Sequence, residues 1–323
     1  MRERKLLVAA SDVGPARYLV ELAPLLPFPT LWAGSELTRG IFGAAGLDIV
    51  DVWDSNFALL GVATGTQLGP GIDKQAVQRA QAEGVASVTC IEHWSWFRER
   101  FLLDGEQTLP DLIVVNDGLA LRAAVQAGLP ESSIAIGGNP VLERLWRESS
   151  TWDSASAGTG SGVVVFISEE LESDVLRGRI GAIGYSEFEV ARTILECLGP
   201  HQRLVIKLHP AEAEGKYAFL GPRVQVDARL TPSDIVGLAE FVVGMGSMLL
   251  LELAALGASV ISFQPNGVKS FIGDELGATV PVRTPRELHT ALSHSQPPRT
   301  AFAASFVGSG NRIASLIAEA VLA

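Results

Sequence analysis

The sequence predicts an α/β protein: two Rossmann-like domains facing each other across a cleft. Three observations predict it. Short apolar runs alternate with stretches of helical periodicity along the whole chain, the pattern of a parallel sheet covered by helices on both faces. A tract from Ser154 to Gly162, rich in Ser, Ala and Gly, interrupts that pattern and has the chemistry of a flexible linker. The pattern then restarts with Val163-Val164-Val165-Phe166-Ile167. We therefore expect a first domain over 1–150, a linker over 151–162 and a second domain over 163–323, with the last helix free to pack back on the first domain.

In the first domain Leu6–Ala10 reads as a buried strand. Ala16–Leu26 has apolar residues at helical spacing. Pro29–Ala33, Ile49–Trp53, Ser87–Ile91, Leu112–Val115 and Ser133–Ile136 are further strands, and Lys74–Ala82 and Leu119–Ala127 are helices. Gly128 stands where a helix C-cap glycine belongs. In the second domain the strands after Val163–Ile167 are Leu204–Leu208, Val224–Val226, Phe241–Val243, Val260–Phe263 and Thr279–Val282. The helices are Ser186–Leu198, Pro232–Ala239, Met248–Leu256, Pro285–Ser293 and Gly310–Ala323. Ser186 and Glu189 form a capping-box pattern.

Composition narrows the function. The 323 residues suffice for two domains, and 47% are hydrophobic. The net charge is -11 and no long Lys/Arg run occurs, so nucleic acid is not an expected partner. A phosphorylated small molecule stays open, because backbone N–H groups can hold phosphate. Leu6–Ala10 is too short for a signal peptide or a membrane span, and no other apolar run approaches ~18 residues. We expect a cytoplasmic protein without a transmembrane segment, with peripheral membrane contact left open, acting as a monomer or homodimer. Cys90 and Cys197 have no metal-binding spacing and read as reduced core residues. No His-x-x-x-His, Cys-x-x-Cys or Asp-x-Asp pattern occurs, so no protein-bound metal or other cofactor is expected.

Ligands of parallel α/β sheets bind at the carboxyl ends of strands, which singles out the strand-end turns. Ser11-Asp12-Val13-Gly14-Pro15 can aim N–H groups at an anion or admit a substrate closely, or can simply cap a helix. Glu92-His93-Trp94-Ser95-Trp96 combines two titratable groups with an aromatic platform. Ser168 ends the first strand of the second domain. Lys207-Leu208-His209-Pro210 ends the next, and the imidazole of His209 can donate to a phosphate oxygen. Gly244-Met245-Gly246-Ser247-Met248 leaves free N–H groups ahead of a helix, and Glu252 lies one turn along it. Gln264 ends a strand on the same edge.

The order of these features resembles the GT-B nucleotide-sugar enzymes, which include glycosyltransferases and UDP-N-acetylglucosamine 2-epimerases. The resemblance implies that His209, Gly244, Gly246, Ser247, Met248, Ser168 and Lys207 hold the nucleotide and that Glu252 bonds the ribose. It puts Gln264 and Gly14 near the sugar, and draws the catalytic base from Glu92, His93, Asp117 and Asp12. A narrower likeness links His209-Pro210 and Ser247 to CMP-sugar transferases, whose acidic motif Asn116-Asp117-Gly118 matches in part. The implied activity is a metal-independent glycosyltransferase, moving a sugar from a nucleotide-sugar donor to a glycan or small-molecule acceptor. The alternatives are a nucleotide-sugar 2-epimerase or hydrolase, and a non-catalytic two-domain binding protein.

Overall fold

The computed structural model describes residues 3–53, 57–150, 160–177, 181, 183–210, 212–222, 224–267, 270–294 and 297–323. Most of the expected linker, 151–159, lies outside the described residues. The chain divides into two units, Met1–Glu143 with Phe306–Ala323, and Arg144–Ser305.

The first unit is built on β1 (Arg4–Ala10), whose residues from Leu6 to Ala10 are fully buried. A strand buried on both faces is what a parallel sheet requires. Its side chains alternate: Leu6, Val8 and Ala10 enter one core and Leu7 and Ala9 the other. After β1 come α1 (Val13–Val20), β2 (Thr30–Gly34), α2 (Glu36–Ala44), β3 (Ala58–Thr64), α3 (Ile72–Glu83) and β4 (Ala86–Cys90). A small hairpin follows, β5 (Leu102–Leu103) and β6 (Glu106–Gln107). It turns at Asp104-Gly105, both at positive φ, as a type I′ turn demands. Then come β7 (Leu112–Val115), α4 (Gly118–Gln126), β8 (Ile134–Ile136) and α5 (Pro140–Ser149), whose residues from Arg144 on belong to the second unit. The strands form a parallel sheet in the order β2-β1-β3-β4-β7-β8. The C-terminal helix α13 (Ser309–Leu322) completes this unit. Its Ile313, Ile317 and Val321 pack with Val8, Ala63 and Val88, and each such side chain stabilises by ~1.5–3 kcal/mol.

Three expectations need correction here. The helix over Ala16–Leu26 stops at Val20 and continues as a 3-10 turn, Ala23–Leu25, because Pro24 has no N–H for an α-helical bond. The strand over Ile49–Trp53 is reduced to one bridge, Trp32 to Ile49. Asp51 accepts from the Trp53 N–H and turns the chain away. The central strand β3 was not anticipated. Its Gly61 weakens the strand pattern, yet a Cβ there would stand 2.6 Å from Val321, so glycine makes the seat for α13.

The second unit carries β9 (Val163–Ile167), α6 (Leu171–Leu176), α7 (Glu187–Cys197), β10 (Arg203–Lys207), β11 (Val224–Asp227), α8 (Pro232–Leu238) and β12 (Phe241–Gly244). It continues with α9 (Leu249–Ala255), β13 (Val260–Phe263), α10 (Ile272–Glu275), β14 (Val280–Val282), α11 (Pro285–Ser293) and α12 (Ala301–Ala304). The expected capping box of Ser186 and Glu189 opens α7. The strands form a second parallel sheet in the order β11-β10-β9-β12-β13-β14. Val164, Phe166, Ile206, Val243 and Phe263 pack against Val190 and Ile194 of α7 and Leu288 of α11. Strand order reverses between β1 and β3 in the first sheet and between β9 and β12 in the second, and such switch points open a crevice at the carboxyl ends.

Candidate active site

At the switch point of the first sheet, turns from β1, β3, β4, β7 and β8 bring together residues far apart in sequence. The centre is Glu92, just past β4, with its side chain 18% exposed. Its Oε1 lies 3.6 Å from Nη1 of Arg100, and its Oε2 is shut from solvent with no hydrogen-bond partner among the described residues. Burial pushes the carboxyl up; Arg100 opposes the shift, while Asp12 and Asp73 add to it. A Cβ on Gly14 would stand 3.3 Å from Glu92 Oε1, so glycine lets the first turn of α1 lie close to the carboxylate. Arg100 is buried and donates to the carbonyls of Ser95 and Thr66. Thr66 Oγ1 is a second enclosed atom without a partner among the described residues.

His93 is half-buried, and its Nδ1 lies 2.9 Å from Ser95 Oγ. Burial first, and Arg100 second, push it down to about 3; its imidazole is neutral at ordinary pH and a weak proton acceptor there. Two buried amides hold the backbone of this turn. Asn116 Nδ2 donates to the His93 carbonyl, and Asn139 Nδ2 donates to the Glu92 carbonyl and to Asn116 Oδ1. Asn139 Oδ1 in turn caps α5 through the N–H groups of Val141 and Leu142.

Asp12 is exposed and caps α1 by accepting from Val13 N. The Ser11 hydroxyl donates to Asp73, a buried carboxyl at the start of α3 that desolvation pushes up. Lys74, beside Asp73 at 3.8 Å, donates to the carbonyls of Gln67 and Gly69. Asp73, Lys74, Thr66 and Arg100 had no sequence signal, since none stands in a recognisable motif.

Asp117 requires a correction. Its Oδ1 accepts from Ala120 N and its Oδ2 from Trp94 Nε1, each at 2.8 Å. Both oxygens are engaged, so Asp117 is the N-cap of α4 and the tether of a buried tryptophan, not a free base. Asp117→Ala is expected to lower stability by about 2–3 kcal/mol: ~1 from the cap and the rest from the orphaned indole N–H. Asp117→Asn, which retains a capping oxygen, should lose about half as much. Urea unfolding of the two variants checks both values.

In the second unit the turn after β12 faces the turn after β9. Glu169 Oε1 accepts from Gly246 N at 2.8 Å. Burial pushes Glu169 up to about 7, against the amides of Gly246, Ser247 and Met245, with Glu212 adding to the rise. A Cβ on Gly244 would press on Leu250 at 2.7 Å, whereas one on Gly246 would make only ordinary contacts with Glu169 and Gln264. Ser247 Oγ accepts from Leu249 N, Met248 stands at the N-cap position of α9 without a side-chain capping bond, and Glu252 sits half-buried in its first turn. Gln264, 6% exposed, donates from Nε2 to the Met245 carbonyl, and its Oε1 has no partner among the described residues.

Two nucleotide-side candidates point elsewhere. Ser168 is 2% exposed, and its hydroxyl is engaged by Glu212 Oε1 at 2.7 Å and by the Tyr217 hydroxyl at 2.6 Å. Lys207 does not share an open face with His209: its Nζ donates to the carbonyls of Leu208 and Ala228, tying the ends of β10 and β11. His209 has an exposed side chain, and its N–H donates to Glu212 Oε2. Beneath this edge Lys216 Nζ binds Glu187 Oε1 at 2.6 Å and Glu212 Oε1 at 2.5 Å. Sequence alone did not place this network, because its members lie on three different segments.

Among the described residues no group of three His, Cys, Asp or Glu side chains is arranged to hold a metal. No helix there is long and apolar enough to cross a membrane.

No family model and no curated protein matches the chain. Solved structures do, over nearly the whole length. The glycotransferase of kitacinnamycin is 14% identical, covering 98% of this chain and 99% of its own, with a TM-score of 0.60. The UDP-GlcNAc 2-epimerase of Methanocaldococcus jannaschii is 11% identical, covering 98% and 99%, with a TM-score of 0.63. Anabaena Alr3699/HepE in complex with UDP and glucose is 11% identical, covering 98% and 100%, with a TM-score of 0.65. The two six-stranded parallel sheets and these full-length likenesses give the chain the fold of the GT-B nucleotide-sugar enzymes.

Proposed function

We propose that the chain is a metal-independent glycosyltransferase that uses a nucleotide-sugar donor and a glycan or small-molecule acceptor. The observation that carries this reading is Glu92: an enclosed carboxylate with a raised pKa and an oxygen without a partner among the described residues, at a sheet switch point. A base must reach the proton it removes and hold it strongly enough, and desolvation strengthens Glu92 as a proton acceptor. In the proposed reaction Glu92 takes the acceptor hydroxyl's proton as that oxygen bonds the anomeric carbon. The bond from that carbon to the donor phosphate breaks, and the nucleotide leaves with the electron pair. Asn116 and Asn139 hold the Glu92–His93 backbone. In the second unit the Gly246–Ser247 turn and His209 stabilise the departing phosphate, and Glu252 holds the ribose. UDP and UDP-sugars bound to structures of the same fold support a nucleotide ligand.

A thermal-shift screen against UDP, CMP, CDP, GDP and dTDP and their sugars, with and without magnesium, tests the reading. One nucleotide class should stabilise the protein by ~2.7 kcal/mol at a hundredfold excess over Kd, without a need for magnesium and with loss in His209→Ala or Glu252→Ala. A flat response to every nucleotide would remove the reading. The 2-epimerase or hydrolase alternative is favoured by Asp12 and Asp73, which add to the negative field at Glu92 and give this edge further proton-handling groups. Turnover of the bound nucleotide sugar without any acceptor would select it.

A further inference from the structure

An internal carboxylate already occupies an amide of the turn to which the proposed function assigns the donor's phosphate. Glu169 Oε1 takes the Gly246 N–H at 2.8 Å. The bare α-carbon of Gly246 faces Glu169 Oε2 and Gln264 Nε2, which a Cβ would approach to 3.8 and 3.9 Å. Gln264, nine-tenths buried beside them, leaves Oε1 without a partner among the described residues. The turn is thus completed by one side chain and still has an unmet bonding group.

We propose that Glu169 is a built-in competitor for the phosphate place at the Met245–Ser247 turn, so that an anionic nucleotide binds this unit only as Glu169 gives up its charge or its amide partner. This inference rests on the reading of the second unit as the nucleotide holder. A phosphate and a carboxylate cannot both keep their charge over one N–H donor. The charged neighbours do not relieve the conflict. Lys216 reaches the Glu169 carbonyl, but its charge is taken by Glu187 and Glu212. Arg283, from the end of β14, pairs with Asp274 at 2.7 Å. Glu212 and Glu170 add negative charge nearby, and Arg177 lies 4.0 Å from Glu170. The Tyr185 hydroxyl, pushed up to about 12 by burial and then by Glu169, stays neutral. Glu169 itself, held near 7 without ligand, takes its proton readily when a phosphate arrives.

The test is calorimetric binding of UDP-glucose, GDP-mannose and dTDP-glucose to the full chain. Their diphosphate diesters keep constant charge across the range used. Wild type, Glu169→Gln and Glu169→Ala are compared at about pH 6 and about pH 8.5, and again in buffers of different ionisation heat. For the sugar nucleotide that binds, wild-type affinity should fall roughly tenfold or more between the two pH values, with about one proton taken up per nucleotide at the higher pH. Glu169→Gln should bind with equal affinity at both, and more tightly than wild type at the higher. Without ligand, wild type should lose stability as pH rises from the ordinary carboxylate range to about 7, because the folded state holds the proton longer. Glu169→Gln should lose less over that range, the remaining loss coming from Glu92 and Asp73, which burial also raises. Binding by wild type that is independent of pH and unchanged in Glu169→Gln would overturn the proposal and leave the nucleotide reading standing. Absence of binding by wild type and both variants at either pH would overturn the nucleotide reading, and this inference with it.

Discussion

Glu92→Gln is expected to reduce turnover of the nucleotide sugar by roughly 10³-fold, with little change in the affinity for the nucleotide alone. The amide matches the carboxylate in size, so the packing of Gly14 against it survives. What is lost is the proton acceptor. Stability should move the other way. The folded-state pKa of Glu92 is raised, so the native state holds a proton longer than the unfolded chain does. The wild type therefore loses stability as pH rises from the ordinary carboxylate range through that raised value. The glutamine, which does not titrate, has no such loss. Arg100 loses an ion pair at 3.6 Å but keeps its bonds to the Ser95 and Thr66 carbonyls. An inactive variant whose melting temperature matches or exceeds wild type would mark Glu92 as a group retained for chemistry at a cost in stability.

The pH profile separates a base from a merely structural acid. If Glu92 is the base, the rate rises with pH through its raised value, and that rise disappears in the residual activity of Glu92→Gln. His93→Ala discriminates the rival base. With its pKa pushed down to about 3, His93 cannot produce a rate limb near neutral pH. An unaltered limb in His93→Ala, together with its loss in Glu92→Gln, is the expected result. The reverse pattern would move the base to His93.

The two sheets were legible because their central strands are unbroken apolar runs: Leu6–Ala10, Val163–Ile167, Leu204–Ile206 and Phe241–Val243 lie buried on both faces. Strand β3 escaped notice because its glycine and alanines serve a neighbouring helix rather than their own propensity. For the same reason the seat of α13 cannot be read from its own sequence: its apolar stripe would suit any sheet, and Gly61 and Gly137 make the room it occupies. At the candidate site, strand-end position alone picked out Glu92, His93, Gly246 and Gln264. It also picked out Ser168 and Lys207, and the partial motif likeness picked out Asp117; the polar atoms of all three are bonded within the protein. Position along a strand says that a residue is near the edge. It does not say whether another segment already satisfies it. Arg100 and Glu169 were missed in the complementary way: their importance comes from partners on other turns, which no local spacing encodes.

Lys216→Met is expected to destabilise the protein by about 3–5 kcal/mol, the cost of stranding buried charges whose partner is removed. Lys216, 12% exposed, lies between Glu187 and Glu212, whose side chains are each 1% exposed. Its stem and charge also lie over the rings of Phe188 and Tyr217. Methionine preserves much of the apolar contact and removes only the charge. The two carboxylates then have no cation between them, and each must bind a proton or reach water. Either response loosens what they hold: the Ser168 hydroxyl, the His209 N–H and the Glu172 N–H. Urea unfolding of the variant and of wild type measures the loss. Adding Glu187→Gln and Glu212→Gln to Lys216→Met removes the stranded charge and should recover much of the loss, a coupling expected for residues in one network. A triple variant no more stable than Lys216→Met would mean that the lysine acts through its packing on Phe188 and Tyr217 and not through its charge.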